Sequence, residues 1–373
     1  MGLPQAIQTD PARWLARERP EEPVFFFDPA RLRAVARVFV DHFPGEVTYA
    51  VKANPEPAVL ETLAGAGLEA FDVASPVEMA LVRDAAPEAR LHYHNPVRGQ
   101  SEIAAARRHG VTSWSVDRMA ELDKLGPLKG AEVAVRLKLP VAGAVYDFGL
   151  KFGATPDAVE ALLHRVVAQG GVPSLTFHPG TQCRDARAWT VYIREAAAIA
   201  RRSGIRLHRL NVGGGFPAHR DDPAPDLPAL FASIDAAMTE AFGTARPALV
   251  CEPGRAMVAD AFELALQVKA RDGDALFLND GIYGGLSEWR DLGPSTRISA
   301  LAPDGRPREG AARALTVFGP TCDSLDQLSD RVFLPDDLRE GDYLLFHACG
   351  AYSTALCTRF NGYGARRIVT LAR

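Results

Sequence analysis

Short apolar runs alternate with helix-like segments between Val47 and Glu252, and this alternation constrains the fold more than any other feature of the chain. The segments 156–171 and 186–204 place apolar side chains at helical spacing and have glycine where a helix would stop. Eight apolar runs within about 200 residues match a (β/α)8 barrel, whereas an open doubly wound sheet would have fewer strands. We therefore predict an α/β fold built on a TIM-type barrel. The runs are 47–51, 69–73, 91–94, 112–116, 132–139, 174–178, 209–213 and 248–252.

The pattern changes after Glu252. Strand-like runs with glycine-rich or charged breaks follow one another, and no segment between them is long enough for a helical crossover. Strands joined without crossovers pair antiparallel, so we expect a second, β-rich domain that resembles a β-barrel or sandwich. The predicted domains are a barrel over residues 28–258 and a β-rich domain over residues 259–373, to which residues 1–27 add a strand.

Composition and charge argue against several classes of function. The 373 residues carry 46 acidic and 42 basic side chains, and no basic tract is long enough to follow the phosphates of a duplex. No apolar run approaches membrane-spanning length, and the N-terminus lacks a basic-then-apolar signal pattern. The five cysteines form neither a disulfide framework nor CxxC metal pairs. We expect a cytoplasmic protein that binds no nucleic acid, membrane or metal.

Polar residues follow the predicted strands, and in a parallel barrel the C-terminal strand ends build the active site. Lys52 comes directly after the first run, and a partly desolvated lysine can form a Schiff base with an aldehyde. The glycines at 213–215 offer bare backbone N–H groups to an anion. An aldehyde and an anion together indicate pyridoxal phosphate. The strand-end residues are Lys52, Asp72, His94, His178, Gly213, Gly214, Gly215 and Glu252.

The segment "CEPGR" at 251–255 would complete such a site. Gly254 and Arg255 can hold a phosphate, and the Glu252 carboxylate can meet the pyridine nitrogen. A protonated pyridine ring is an electron sink, which is the chemistry that this cofactor brings to amino acids.

Each residue also has an ordinary structural interpretation. Alone, Lys52 is more often a capping or interface charge, and His94 and His178 could be satisfied core histidines. Cys322 alone would count as a small buried hydrophobe. The letters "GGGFPA" fit a loose dinucleotide-binding pattern, but Pro217 lies where the helix of that motif should begin. The hypothesis therefore depends on the combination of residues.

Taken together, the motifs resemble the fold-type III pyridoxal-phosphate decarboxylases, and specifically the ornithine/lysine decarboxylase family. They occur in the family's order from residue 47 to the C-terminus, so the resemblance covers most of the chain. The motifs are "YAVKAN" with Lys52, "FDVAS" with Asp72, "LKFGAT" with Lys151, "FHPGTQC" with His178, "GGGFP", "EPGR", "GPTCDSLD" with Cys322 and Asp323, and "GAYSTALCTRFNGYG" with Tyr352 and Phe360.

The resemblance implies that Lys52 forms the Schiff base, His178 stacks on the cofactor ring and Glu252 pairs with the pyridine nitrogen. It also implies a homodimer with shared active sites, in which Cys322 and Asp323 come from the partner chain and Cys322 protonates Cα. Further cofactor contacts are implied for Asp72, Thr181, Gly213, Gly214, Gly215, Gly254, Arg255 and Tyr352.

The same resemblance suggests how a substrate is recognised. Asp323 would meet the amine at the far end of the substrate, with Glu288 or Asp291 as a second acidic group. Pro179 and Thr181 depart from the family, which usually reads "FHVGS" where this chain has "FHPGT". The remaining implied contacts are Tyr283 and Phe360 with substrate, and Lys151 with Asp326 as a pair that bridges the subunits.

We expect a decarboxylase of a basic L-amino acid, with L-ornithine to putrescine first and lysine to cadaverine second. One alternative is a diaminopimelate decarboxylase, or another amino-acid decarboxylase or racemase of the same fold. Diaminopimelate enzymes usually read "CES" where residues 322–324 read "CDS". The other alternative is a non-catalytic binding protein that resembles antizyme inhibitors, against which the retention of Lys52, Glu252 and Cys322 argues.

Overall fold

The computed structural model describes residues 10–140, 151–293 and 295–372. The chain forms two compact units. The barrel unit comprises the described residues among 35–217 and 225–257, and the sheet unit comprises those among 1–34, 218–224 and 258–373. No helix in the described ranges is both long enough and apolar enough to cross a membrane.

The described part of the barrel unit contains a closed barrel of eight strands, and neighbouring strands are parallel throughout. The predicted fold class is thus confirmed. The side chains of these strands are largely buried, because one face fills the barrel and the other is covered by helices. The strands are β2 (Glu46–Ala50), β3 (Ala70–Asp72), β4 (Arg90–Tyr93), β5 (Val111–Val116), β6 (Glu132–Leu137), β7 (Val172–Phe177), β8 (Arg209–Asn211) and β9 (Ala248–Cys251).

Helices follow the barrel strands, and local signals set their ends. Helix α4 (Pro76–Ala85) has proline in its first turn, and the Glu78 N–H donates to Ser75 Oγ at 3.3 Å. Gly204 adopts the left-handed conformation, with φ of 66°, directly after helix α8 (Arg187–Ser203). The other helices are α2 (Pro29–His42), α3 (Pro57–Gly65), α5 (Gln100–Arg108), α6 (Met119–Leu125), α7 (Pro156–Ala168), α9 (Leu227–Phe242) and α10 (Arg255–Val258).

The sheet unit is built on strands in the order β12-β15-β10-β11-β13-β14, and β1 pairs with both β10 and β16. Trp14 packs edge-on against Phe26 with ring centroids 5.3 Å apart, which helps to bury the face of β1. The elements are α1 (Pro11–Glu18), β1 (Val24–Phe27), β10 (Phe262–Asp272), β11 (Ala275–Leu278), α11 (Trp289–Leu292), β12 (Ile298–Leu301), β13 (Ala312–Phe318), β14 (Val332–Pro335), β15 (Tyr343–Phe346) and β16 (Arg367–Thr370).

The expectation of purely antiparallel pairing was wrong for two strand pairs. β11 pairs parallel with β13, and β1 pairs parallel with β16. The chain between β11 and β13 includes α11 and β12, so it is long enough for a crossover even though it contains no long helix. β1 and β16 lie near opposite ends of the chain, so no hairpin constrains their relative direction.

Candidate active site

Lys52 lies directly after β2, in a single 3-10 turn over Val51–Ala53. Asn54 closes the turn, since its N–H donates to Val51 O at 3.1 Å and its carbonyl accepts from Tyr49 Oη at 3.1 Å. Val51, Ala53 and Asn54 are buried, whereas Lys52 is exposed. The turn therefore anchors the backbone of Lys52 and leaves its side chain accessible at the C-terminal end of the barrel strands.

Two carboxylates and an imidazole meet at the same end of the barrel. Glu252 follows β9 and forms an ion pair with Nδ1 of His94, which follows β4. Asp72, the last residue of β3, accepts from the His94 N–H at 3.3 Å. Asn211, which the sequence analysis did not single out, donates from Nδ2 to Glu252 Oε1 at 2.5 Å. The two acidic side chains and His94 place ligand atoms within 4.8 Å of one another, a set that could also hold a metal ion.

The neighbours of the two carboxylates separate their pKa values. Burial raises the pKa of Glu252, yet the charge and hydrogen bond of His94, with the charge of Lys52, lower it well below its ordinary value. Burial and the charge of Glu252 raise the pKa of Asp72, and the charges of Lys52 and His94 offset this only in part. Of the two carboxyl groups, Glu252 is therefore the stronger acid and Asp72 the weaker.

Burial and neighbouring charges also shift the pKa values of His94 and His178, in opposite directions. Burial lowers the pKa of His94, but the Glu252 carboxylate outweighs it and raises the pKa above its ordinary value. Burial and the charges of Arg136 and Lys52 lower the pKa of His178 to about 3. His178 Nδ1 accepts from the Gly180 N–H at 3.3 Å. The His178 ring is thus neutral, which suits a flat ring that stacks on another ring.

Arg136 belongs to the site, and the sequence interpretation missed it. It lies near the C-terminal end of β6 and is half-buried. Burial lowers the pKa of its guanidinium, while the charges of Glu252 and Asp72 act in the opposite direction. The available signal was a single arginine at an alternate position of the apolar run 132–139.

Glu78 was missed as well. Its Oε2 accepts from the Ala74 N–H at 2.7 Å, directly after the strand that carries Asp72. Burial raises the pKa of Glu78, and the charge of Lys52 partly offsets the increase. The signal was the capping pattern Ser75-x-x-Glu78, which places the glutamate at the N-terminus of α4.

Gly213, Gly214 and Gly215 form a glycine cluster after β8, where neighbouring backbone leaves no room for side chains. Gly213 and Gly215 have φ of 68° and 84°. A Cβ on Gly213 would lie 2.2 Å from Phe177 O, and one on Gly215 would lie 2.8 Å from Gly180 O. A Cβ on Gly214 would meet Glu252 O at 2.7 Å. Glycine is therefore required at these positions, because neighbouring backbone passes too close for a side chain.

The other predicted phosphate contacts in the barrel unit lie in the loops after β7 and β9, next to the glycine cluster. Thr181 is buried, and the Cys183 N–H that follows it donates to Gly215 O at 2.9 Å. Gly254 and Arg255 lead into α10, at the end of β9. The loops after β7, β8 and β9 thus come together around the glycines, as a phosphate site on a parallel barrel requires.

The sheet unit brings together a second group of predicted residues. Tyr283 Oη donates to Asp323 Oδ2 at 2.5 Å, and the Tyr283 and Phe360 ring centroids are 4.9 Å apart. Cys322 Sγ lies 3.4 Å from Asn361 Oδ1. The hydrogen bond from Tyr283 lowers the pKa of Asp323. Cys322 is exposed, so its interpretation as a buried hydrophobe is excluded.

Asp326 is bound inside its own unit. Its carboxylate accepts from the Ile282 N–H at 3.1 Å and from both the N–H and Oγ1 of Thr321, at 3.1 and 2.8 Å. It therefore joins the loop that carries Tyr283 to the loop that carries Cys322. Lys151, in the barrel unit, is exposed and lies over the ring of its neighbour Phe152. The pairing of Lys151 with Asp326 across two chains stays a prediction.

The structure separates the two acidic candidates at α11, where Glu288 is the N-cap residue and Asp291 lies in the first turn. Asp291 is exposed and accepts from Nε and Nη2 of Arg290 at 3.1 and 3.2 Å. Glu288 is less exposed, and its charge contributes to raising the pKa of the buried Cys349 thiol. Tyr352 adopts a φ of 54°, and its carbonyl accepts from Ser287 Oγ at 3.1 Å. Its contact with phosphate stays a prediction.

Residues 30–259 match the family of pyridoxal-dependent decarboxylases, in their pyridoxal binding domain. The chain belongs to this family. Over 344 residues it is 31% identical to mouse ornithine decarboxylase, a match that covers 84% of this chain and 73% of the mouse protein. It is 32% identical to antizyme inhibitor 2 of Xenopus laevis over 84% of this chain and 73% of that protein.

A solved structure gives the same result. The crystal structure of the Paramecium bursaria Chlorella virus arginine decarboxylase superimposes with a TM-score of 0.84 at 25% identity, covering 96% of this chain and 98% of that one. The protein is a pyridoxal-phosphate-dependent amino-acid decarboxylase, and it groups with enzymes that are named for basic amino acids.

The barrel residues fit this cofactor. A charged carboxylate, Glu252, suits a protonated pyridine nitrogen, and a neutral imidazole, His178, suits the ring face. Gly214 and Gly215 carry no side chains that would cover their backbone N–H groups, which suits a phosphate. Lys52 is an accessible amine whose charge acts on Asp72, Glu252 and His178. When bound, pyridoxal phosphate supplies an electron sink for the electrons that decarboxylation releases.

Proposed function

We propose that the protein decarboxylates a basic L-amino acid, with L-ornithine as the first candidate and L-lysine as the second. The observation that carries the proposal is the Glu252 carboxylate, which stays charged although it is surrounded by protein and lies within the electrostatic reach of Lys52. A charged group of this kind keeps a proton on the pyridine nitrogen, and that proton makes the ring a strong electron acceptor.

The barrel unit supplies the groups that bind and orient the cofactor. Lys52 offers the amine for the cofactor aldehyde, His178 covers one face of the ring and Glu252 holds the proton on the pyridine nitrogen. Burial favours the protonated form of Asp72, so Asp72 can donate a hydrogen bond close to Lys52 without adding a second negative charge. The proposed phosphate contacts are Thr181, Gly213, Gly214, Gly215, Gly254 and Arg255.

The sheet unit supplies a proton donor and a recognition group. Cys322 would donate a proton to Cα of the product, and Asp323 would bind the ammonium at the far end of the substrate. The hydrogen bond from Tyr283 supports this role, because it holds Asp323 in one orientation and in the charged state. Among the acidic candidates, the lower exposure of Glu288 favours it over Asp291 as the second partner of the ammonium.

We infer that these groups act in a homodimer with shared active sites. Cys322 is exposed, and the neighbouring apolar side chains Leu325 and Phe360 are 71% and 43% exposed. The proton transfer to Cα would need a site closed to bulk water, and an exposed thiol does not provide one. A second copy of the chain that covers this surface would give both the protection and a buried environment for the apolar side chains.

Carbon dioxide release from a panel of amino acids tests the proposal. The panel contains L- and D-ornithine, L- and D-lysine, L-arginine, meso-diaminopimelate and L-norleucine. We expect ornithine or lysine to give the highest kcat/KM, with detectable activity on the other. A preference for meso-diaminopimelate would instead favour the first alternative. If the purified protein shows the visible absorption of bound cofactor but no member of the panel releases carbon dioxide, the proposed substrate class is wrong.

A further inference from the structure

His94 connects two barrel strands through its imidazole. The ring is 7% exposed, lies directly after β4 and forms the ion pair with Glu252 through Nδ1. Its other nitrogen, Nε2, lies 3.0 Å from Oγ of Ser113 on β5, and both of these groups are buried. The ring is thus held at both nitrogens, so its position relative to Glu252 is set by the barrel.

Asn211 holds the same carboxylate from another strand. Its Nδ2 donates to Glu252 Oε1, and its Oδ1 accepts from the Gly213 N–H at 2.9 Å. His94 and Asn211 therefore approach one oxygen of Glu252 from β4 and β8. With two donors on Oε1, the rotation of the carboxylate is restricted.

His92 is a second buried histidine of the same strand, and it differs from His94 in its contacts. It lies two residues earlier on the same strand, and its ring is stacked on His94 with centroids 5.5 Å apart. Within the described residues, neither of its ring nitrogens has a hydrogen-bond partner, and Nε2 is 3.6 Å from Glu46 Oε2. Burial and the charge of His94 lower its pKa to about 4. His92 is therefore a neutral ring that does not bind Glu252.

We propose that His94 is a positioning residue that orients the Glu252 carboxylate toward the pyridine nitrogen of pyridoxal phosphate and balances its charge. The inference rests on the proposed role of Glu252. A buried carboxylate held by an ion pair and one further hydrogen bond is stable away from water only when both donors stay in place, and removing one donor leaves it poorly solvated. Such a carboxylate turns toward other donors or takes up a proton, and in either case it binds the pyridinium less well.

Two substitutions at His94 separate its contacts. In His94→Asn the amide nitrogen can occupy the place of Nδ1 and donate to Glu252. In His94→Gln the amide nitrogen lies near the place of Nε2, where it can bind Ser113 but no longer holds Glu252. His92→Gln is the matched control, because it changes a buried histidine of the same strand that does not contact Glu252.

The experiment compares binding of two cofactors to the apoprotein. Dissociation constants of pyridoxal phosphate and of its 1-deaza analogue, in which a C–H group replaces the pyridine nitrogen, are measured by quenching of tryptophan fluorescence. The wild type should prefer pyridoxal phosphate, since only this cofactor can donate to Glu252. In His94→Gln we expect the preference to fall by about tenfold or more, the value of a charge-assisted hydrogen bond.

The controls distinguish this effect from a loss of folding. His94→Asn should retain more of the preference than His94→Gln, and His92→Gln should keep the wild-type preference even if both dissociation constants rise. The proposal would be overturned if His94→Gln weakened the binding of both cofactors equally, or the binding of neither. A wild type without any preference would refute the role of Glu252 itself, which is a failure of the proposed function and not of the inference about His94.

Discussion

The barrel unit and the sheet unit prepare their functional groups in different ways. In the barrel unit, Asp72 and His94 are 5% and 7% exposed, and hydrogen bonds from several strands hold them in place. In the sheet unit, Cys322 and Phe360 are exposed. Folding of one chain is therefore enough to bring together Asp72, His94 and Glu252, the groups proposed to lie near the pyridine ring. The groups proposed to act on the substrate remain open to solvent.

The two units also differ in what sets the pKa values of their acidic groups. In the barrel, burial and mutual charge set the pKa values of Asp72 and Glu252, so a change at one group affects the other. In the sheet unit, two local hydrogen bonds, from Tyr283 and from the Leu325 N–H, lower the pKa of Asp323. Substitutions in the barrel should consequently have wider effects than substitutions in the sheet unit.

The largest effect should follow Lys52→Ala in the barrel unit. We expect activity to fall by several orders of magnitude and the visible absorption of the bound cofactor to disappear, because Lys52 supplies the amine proposed to bind the cofactor aldehyde. Circular dichroism should show an intact fold, and Lys124→Ala, which removes a lysine paired with Glu121 on α6, should retain the absorption. Visible absorption that persists in Lys52→Ala would move the attachment to another lysine.

Mixing two inactive variants tests whether Lys52 of one chain and Cys322 of another act in the same active site. If Cys322 acts in the partner's site, Lys52→Ala and Cys322→Ala should regain activity after exchange of subunits. With random exchange and two equivalent sites per dimer, about one site in four should be intact. Exchange itself is verified with subunits that carry different affinity tags. Proven exchange without recovery would place both residues in the site of one chain.

Substrate analogues probe the recognition group of the sheet unit. Replacing the terminal ammonium by a methyl removes the charged partner of the Asp323 carboxylate, so kcat/KM should fall by roughly thirtyfold or more. The change of one methylene between ornithine and lysine should matter less, about ten- to two-hundredfold. Asp323→Asn should narrow the gap between ornithine and norleucine. If norleucine matched the diamino acids, Asp323 would not be the recognition group.

The smallest effect concerns the stability of the apoprotein. The pKa of Asp72 is raised on folding, so its stabilising contribution is present below its unfolded value and is lost as the pH rises through the folded value, near 7. Asp72→Asn removes this loss, and we expect its Tm to exceed that of the wild type by about 2–4 °C at pH 8, with a smaller gap at pH 5. Differential scanning calorimetry at both pH values measures the gap.

Asp323→Asn is the matched control in the sheet unit, because the pKa of Asp323 is lowered rather than raised. Its contribution is present above the unfolded pKa and is lost only in acid, so its Tm difference from the wild type should not change between pH 5 and pH 8. An equal response of the two variants would contradict the contrast between the buried carboxyl group of the barrel unit and the open one of the sheet unit.

Local patterns explain which features the sequence could predict. The helix over Arg187–Ser203 was visible because apolar residues at helical spacing and a terminal glycine act within one segment. Lys52 was visible because it directly follows an apolar run. The roles of Arg136 and Glu78 were not visible, since an isolated arginine in a strand and a glutamate in a capping pattern have common structural explanations.

The amino-acid sequence alone determined the alternation of strands and helices, the fold class and the residues at the strand ends, because turn preferences and hydrophobic periodicity act over a few neighbouring residues. Only the tertiary structure decided that His94, Asn211 and Glu252 share one hydrogen-bonded group, that two strand pairs are parallel, and that Glu288 is less exposed than Asp291. These features depend on closing the barrel and the sheet, which brings together residues far apart in the chain and removes them from water.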